Sequence, residues 1–137
     1  MTAFHLAFPV RDLDETRRFY GDVLGCRVGR SSDTWIDFEF FGHQISAHVV
    51  APTEGAPTNA VDGDAVPIPH FGAILDWEAW ETLAERLTQH EVVFEIGPRV
   101  RFQGEPGEQG TFFFKDPSGN ALEFKTFRDM KSVYATT

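Results

Sequence analysis

Cysteine is almost missing from this chain: Cys26 is the only one among 137 residues. A lone thiol excludes an internal disulfide and a zinc site built on cysteines, and it fits a reducing compartment. Long apolar runs are missing too. None approaches the ~18 residues that a membrane-spanning helix needs. The N-terminal stretch lacks a basic segment followed by an apolar one, so no secretory signal is expected. Basic residues are outnumbered, 12 Lys and Arg against 21 Asp and Glu, for a net charge of −9. No basic stretch stands out, so neither nucleic acid nor an anionic membrane is an expected partner. The expectation is a cytoplasmic protein that acts on a small molecule.

What is present is one domain's length of chain with 14 Phe, enough for a proper core. "AFHLAFPV" (3–10) reads as a strand. "RDLDETRRFYGDVLG" (11–25) reads as a helix, with Asp12 as N-cap, Glu15 three residues on, and Gly25 as its stop. Leu13, Thr16, Phe19, Tyr20 and Leu24 share one face at helical spacing. Strands are expected at 33–41 and 44–50, with a turn at "FGH" between them. Residues 51–69 are rich in Pro, Gly, Asp and Ala, without usable periodicity, and read as a linker. The pattern then recurs. A strand is expected at 70–76, a helix capped by Asp76 at 77–91, and a strand at 92–96. A Gly/Pro-rich excursion (97–110) has room for a hairpin. A strand at 111–115 follows, then the turn "DPSGN" and a last strand carrying Glu123. Trp35, Phe38, Phe40, Phe112 and Phe114 are expected mostly in the sheet cores, with one or two rings left to line the pocket, and the tail 128–137 is polar and expected to be loosely held.

The order describes two copies of one βαβββ unit: module one at 3–50, linker 51–69, module two at 70–127. The fold class is α+β, with two curled antiparallel sheets around a cleft. His5 and His70 open the first strand of each module, and Glu123 lies in the last strand of the second. A carboxylate between Leu122 and Phe124 on an inward strand is destabilising unless something pairs with it. Two imidazoles and one carboxylate make a facial metal-binding set with open positions. Each histidine taken alone is more often a hydrogen-bonded surface or core residue; the repeat-matched pair with Glu123 favours the metal. Gln44, Ser46 and His48 share a face of the matching strand in module one. His48 is a candidate acid/base residue, because an imidazole moves protons near neutral pH; a fourth ligand and a plain strand residue are the alternatives. His43 reads as a turn residue and His90 as a helix end. Arg99 and Arg101 are candidates for holding an anionic group.

"FHLAFPVRDLDETRRFYGDVLG", the strand-leading His70 and "DPSGNALEF" together resemble the vicinal oxygen chelate superfamily of glyoxalases, fosfomycin- and bleomycin-resistance proteins and extradiol dioxygenases. The resemblance runs from about residue 3 to residue 127. It implies a divalent metal held by His5, His70 and Glu123, with Fe(II) favoured and Ni, Zn or Mn as alternatives. It implies a homodimer, with the site inside one chain or shared between two. The C-terminal half is most similar to small predicted extradiol-type dioxygenases, implying an oxidoreductase acting on a chelating diol or enediol. The alternatives are a glyoxalase-like lyase or isomerase and a drug-sequestering protein without enzymatic activity. In one place the chain departs from the ring-cleaving pattern. The tyrosine usual ten residues before the glutamate ligand is Phe113, which has no proton to donate. Phe113 is then a candidate for lining the substrate site, and Tyr20 or Tyr134 for supplying the hydroxyl.

Overall fold

A computed structural model describes residues 2–51, 58–61 and 64–136. Its elements in chain order are β1 (His5–Val10), α1 (Leu13–Arg17), β2 (Arg27–Ser31), β3 (Trp35–Phe40), β4 (His43–Val49), β5 (Thr58–Val61), β6 (Asp64–Pro67), β7 (His70–Ile74), α2 (Trp77–Gln89), β8 (Phe94–Arg101), β9 (Gln109–Lys115) and β10 (Ala121–Phe127). The chain forms two compact units, Met1–Val66 with Asp116–Asn120, and Pro67–Lys115 with Ala121–Thr137. Among the described residues no helix is long and apolar enough to cross a membrane.

The first unit is built on a four-stranded sheet in the order β1-β4-β3-β2. The strands β2, β3 and β4 pair antiparallel as expected. β1 joins parallel to β4, with His5 beside Gln44 and Ala7 beside Ser46, so the sheet is mixed. Asp12 caps α1 by accepting from the Glu15 amide at 2.9 Å. The Glu15 carboxylate pairs with Arg11 rather than folding back onto the cap. The expected single helix over 11–25 is two segments: α1 passes into a π-helical stretch, Arg18–Val23. The chain leaves it through Gly25 at φ 81°, a conformation only glycine adopts without strain. Thr16, Phe19, Tyr20 and Leu24 are buried beneath this helix. Tyr20 packs on Phe8, Phe19 and Phe38 with ring centroids 5.2–5.5 Å apart.

The "DPSGN" turn belongs to this unit. Asp116 is buried and accepts from the amides of Ser118 and Asn120, both at 2.9 Å. The Tyr20 hydroxyl donates to its other oxygen at 2.9 Å. Asn120 donates to the Pro9 carbonyl at 2.7 Å. Burial pushes both acids toward their protonated forms. Desolvation, then the Asp116 charge, holds the Tyr20 phenol well above its ordinary 10. Desolvation raises Asp116 against the lowering effect of its hydrogen bonds from Asn120, Tyr20 and Ser118.

The second unit repeats the plan, in the order β7-β10-β9-β8. β7 is parallel to β10, and the other pairs are antiparallel. Asp76 caps α2 by accepting from the Ala79 amide at 2.8 Å, and His90 closes its C-terminus. Trp80, Leu83 and Leu87 of α2 are buried, as are Phe112, Phe114, Leu122 and Phe124 of the sheet. The three Phe rings stack with centroids 5.8–6.1 Å apart, and the Trp80 indole donates to the Phe124 carbonyl at 3.0 Å.

Two expectations need correcting and a third becomes specific. The segment 51–69 is not all linker: β5 and β6 form a two-stranded ribbon, while residues 52–57 and 62–63 lie outside the described residues. Trp35 is not core. Period-two alternation places it with Asp37 and Glu39, opposite His48, and away from buried Ile36, Phe38 and Phe40. The tail is held near its start. Arg128 stacks 3.6 Å from the Trp77 ring centroid and reaches Glu108 at 3.1 Å, before a 3-10 turn at Met130–Tyr134.

Candidate metal centre

In the second unit β7 and β10 run side by side, and the Glu123 side chain comes to His70. Glu123 Oε1 lies 3.1 Å from His70 Nε2, with the two side chains 15% and 25% exposed. The opposite edge of the imidazole is fixed: His70 Nδ1 is 2.7 Å from the Pro67 carbonyl oxygen. A carbonyl can only accept, so Nδ1 carries a hydrogen and donates it. In the neutral ring Nε2 is then a lone pair aimed at a carboxylate oxygen. Two acceptors at 3.1 Å need a positive charge between them, a proton or a metal ion. The other glutamate oxygen, Oε2, accepts from the Thr111 hydroxyl at 2.6 Å. Phe113 stands directly across from Glu123 in the β9–β10 ladder. Its ring edge meets the His70 imidazole at 5.1 Å between centroids.

The approach of the two strands is set by Gly72, the residue of β7 paired with Glu123. An ideal Cβ built on Gly72 falls 1.6 Å from the Glu123 carbonyl oxygen. No other residue leaves room for that backbone, a close-approach role for glycine.

His5, in the first unit, is prepared the same way. Its Nδ1 lies 2.8 Å from Gln44 Oε1, the amide oxygen accepting, which leaves Nε2 as the free lone pair. Locking one ring nitrogen to an oxygen acceptor is how proteins orient a metal-binding imidazole. The donor chemistry of all three residues therefore fits a divalent ion. Among the described residues no group of three or more His, Cys, Asp or Glu side chains is gathered to hold one; within the second unit the donors brought together are His70 and Glu123.

The remaining candidates divide. His48 is exposed on β4, on the same sheet face as His5 and Ser46 and opposite Trp35. Ser46 donates to Asp37 at 2.6 Å. Phe113 is 3% exposed, so its ring backs His70 rather than presenting an open wall. Arg99 and Arg101 lie on β8 opposite Thr111 and Gln109, which places Arg99 on the face that carries Glu123. Tyr20 cannot replace the missing tyrosine, because its buried hydroxyl is engaged by Asp116. Tyr134 is 90% exposed. His43 accepts from the Phe4 amide at 2.8 Å, a turn-end role. A shallow depression beside α2, lined by residues such as Asp76, Glu78, Thr82 and Arg86, contains no imidazole. Sequence reasoning missed Thr111 and the Pro67 carbonyl, the groups that orient Glu123 and His70.

Comparison with known proteins follows the same line. The model of the Glyoxalase/Bleomycin resistance protein/Dioxygenase superfamily matches residues 2–124. A crystal structure of a glyoxalase/bleomycin resistance protein/dioxygenase from Alicyclobacillus acidocaldarius is 34% identical, with a TM-score of 0.79 over 97% of this chain and 96% of that one. The metallothiol transferase FosB of Lysinibacillus sphaericus is 23% identical over 122 residues, 89% of this chain and 79% of that protein. The fosfomycin resistance protein FosX of Listeria monocytogenes has a TM-score of 0.69 over 92% of this chain and 93% of that one, at 19% identity, a likeness of fold.

Proposed function

Because the chain belongs to the Glyoxalase/Bleomycin resistance protein/Dioxygenase superfamily, we propose that it is a metal-dependent enzyme acting on a small, oxygen-chelating substrate, with His5, His70 and Glu123 as the ligands. The observation that carries this reading is the His70–Glu123 pair, with Nδ1 of the imidazole committed to Pro67 and Nε2 turned to the carboxylate. A metal ion or a proton at Nε2 satisfies that arrangement, and metal analysis distinguishes the two. A divalent ion bound there supplies Lewis-acid polarisation of neighbouring substrate oxygens. The protein's own groups do the rest. Pro67, Gln44 and Thr111 hold the ligands in place. His48, exposed on the His5 face, moves a proton. Arg99 and Arg101 hold an anionic group of the substrate, and Phe113 shields the imidazole from water. The enzyme is a cytoplasmic homodimer, its two modules working as one domain.

Of the two reaction classes open to this set, Phe113 favours the one without oxygen, a glyoxalase-like isomerisation, lyase or transfer step. The position usual for a hydroxyl carries an apolar ring packed on His70. The metallothiol transferase relative points the same way. The extradiol-dioxygenase reading rests on the C-terminal resemblance, with Fe(II) as its favoured ion; nickel, zinc or manganese suits the first class.

The test is metal analysis of protein purified without oxygen, beside His70→Ala and Glu123→Gln. Wild type retains about one divalent ion per chain and each variant loses it. Oxygen uptake by iron-loaded protein with a catechol panel then assigns the class. Wild type that binds no divalent ion sinks the proposal.

A further inference from the structure

The geometry points to Thr111 as a positioning residue that turns Glu123 into a one-oxygen metal ligand. This inference rests on the metal reading above and concerns how the carboxylate presents itself to an ion.

In the β9–β10 ladder Phe113 is opposite Glu123 and Thr111 is opposite Lys125. Thr111 and Glu123 are therefore diagonal neighbours on one sheet face, close enough for side chains to meet. Thr111 is 4% exposed. Branching at Cβ restricts its χ1, so burial fixes the hydroxyl along with the methyl. Its hydrogen goes to Glu123 Oε2 at 2.6 Å, the short length of a charge-assisted bond. The two carboxylate oxygens are thus unequal. Oε2 already carries a hydrogen bond, and Oε1 faces His70 Nε2 at 3.1 Å. Oε1 is the oxygen that an ion at Nε2 can share without competing with the Thr111 hydroxyl. The Thr111 bond occupies one lone pair of Oε2, draws charge from it and holds its orientation, which favours a grip through Oε1 over one through both oxygens. One-oxygen ligation leaves a further position for the paired oxygens of a chelating substrate.

Sequence alone hides this role, because "TFFFK" needs a threonine there for no reason beyond strand propensity. A merely structural Thr111 would satisfy a half-buried carboxylate and nothing more. Its loss would then lower stability and leave ligation untouched.

The experiment compares wild type, Thr111→Val, Thr111→Ala and Thr111→Ser, each freed of metal and titrated with Co(II) without oxygen. The readouts are the visible Co(II) spectrum and the dissociation constant, with thermal melts confirming the fold. Glu123→Gln and His70→Ala are the controls. The expected result is a shared spectrum and affinity for wild type and Thr111→Ser. Thr111→Val and Thr111→Ala shift to the weaker absorption of higher coordination and bind roughly tenfold less tightly. If one of these folds too poorly to titrate, the other carries the comparison. Either variant folding and binding Co(II) with the wild-type spectrum and affinity overturns the role of Thr111 while leaving the metal site standing. Wild type that fails to bind Co(II), or controls that bind it equally well, overturns the metal reading itself.

Discussion

Gly72→Ala is the sharpest test of how the strands bring His70 to Glu123. The added Cβ would stand 1.6 Å from the Glu123 carbonyl oxygen, where real contacts essentially never fall below 3.0 Å. Opening that gap takes about 1.4 Å of backbone movement, because neither partner is a flexible side chain. β7 and β10 pair in parallel through this point, so the displacement breaks ladder bonds. It also carries His70, two residues away, out of reach of Glu123 Oε1. Overpacking of a well-fitted site costs about 1–3 kcal/mol, and a backbone-on-backbone clash belongs at the top of that range. For a chain of this size that is a fall in melting temperature of roughly 10–15 °C. Gly97 is the internal control. A Cβ there meets nothing within 4 Å, so Gly97→Ala should be neutral or stabilising by up to about 1 kcal/mol. Differential scanning calorimetry and Co(II) titration of both variants read the result. A Gly72→Ala protein that melts like wild type and binds Co(II) equally well refutes the reasoning.

Tyr20→Phe removes a buried donor to Asp116; calorimetry should show a loss of roughly 1.5–3 kcal/mol, with metal affinity unchanged. Asp116 also leaves a mark in the pH profile. Folding raises its pKa, so its contribution to stability is full below the ordinary 3.8 and is lost as pH rises through the raised value. Asp116→Asn should flatten the melting temperature across that acidic window, as thermal melts at stepped pH would show. Gln44→Leu frees the His5 ring to turn, and isothermal titration should find metal affinity reduced roughly tenfold with little change in melting temperature. If the proposed homodimer forms, mixing His5→Ala with Glu123→Gln chains and letting subunits exchange should restore about a quarter of wild-type metal content when the site is shared between chains, and none when each chain makes its own.

The parts of the fold legible in the sequence were those with a strong local signature. Asp12 and Asp76 each announce a helix start, and both accept the amide three residues on. His5 and His70 stand out because the repeat places them identically, and Glu123 because its neighbours are apolar. The failures have equally local causes. Over a single turn the side-chain spacing of a π-helix cannot be told from that of an α-helix, so Arg18–Val23 read as plain helix. "RVGRS" lacks apolar alternation, and β2 is hydrogen-bonded there by an irregular pairing with β3. Trp35 shares its parity with Asp37, which places it on the polar face, apart from the four Phe rings of the cores. Thr111 and the Pro67 carbonyl were invisible for another reason. Hydrogen-bond partners that orient a ligand are chosen by register across the sheet, and register is not a property of any one strand.

Register also explains why the two modules share a plan and differ in chemistry. His5 pairs with Gln44 as His70 pairs with Ala121, so Ser46 stands in the first sheet where Glu123 stands in the second. Asp37 then corresponds to Phe113, and Trp35 to Thr111. In the second unit an apolar ring across the ladder and a hydroxyl on the diagonal leave the carboxylate free to face an imidazole. In the first, the acid has moved to the neighbouring strand, where Ser46 engages one of its oxygens, and Gln44 takes over the task of holding the histidine. One module therefore presents a histidine and a carboxylate together, and the other a histidine alone. The proposed set of two imidazoles and one carboxylate leaves open positions on a divalent ion. Restoring the repeat with Ser46→Glu would put a second carboxylate next to Asp37, and like charges so placed repel. That variant should lose stability above the carboxylate range and recover it in the double variant Ser46→Glu with Asp37→Asn, a comparison that thermal melts at neutral and acidic pH decide.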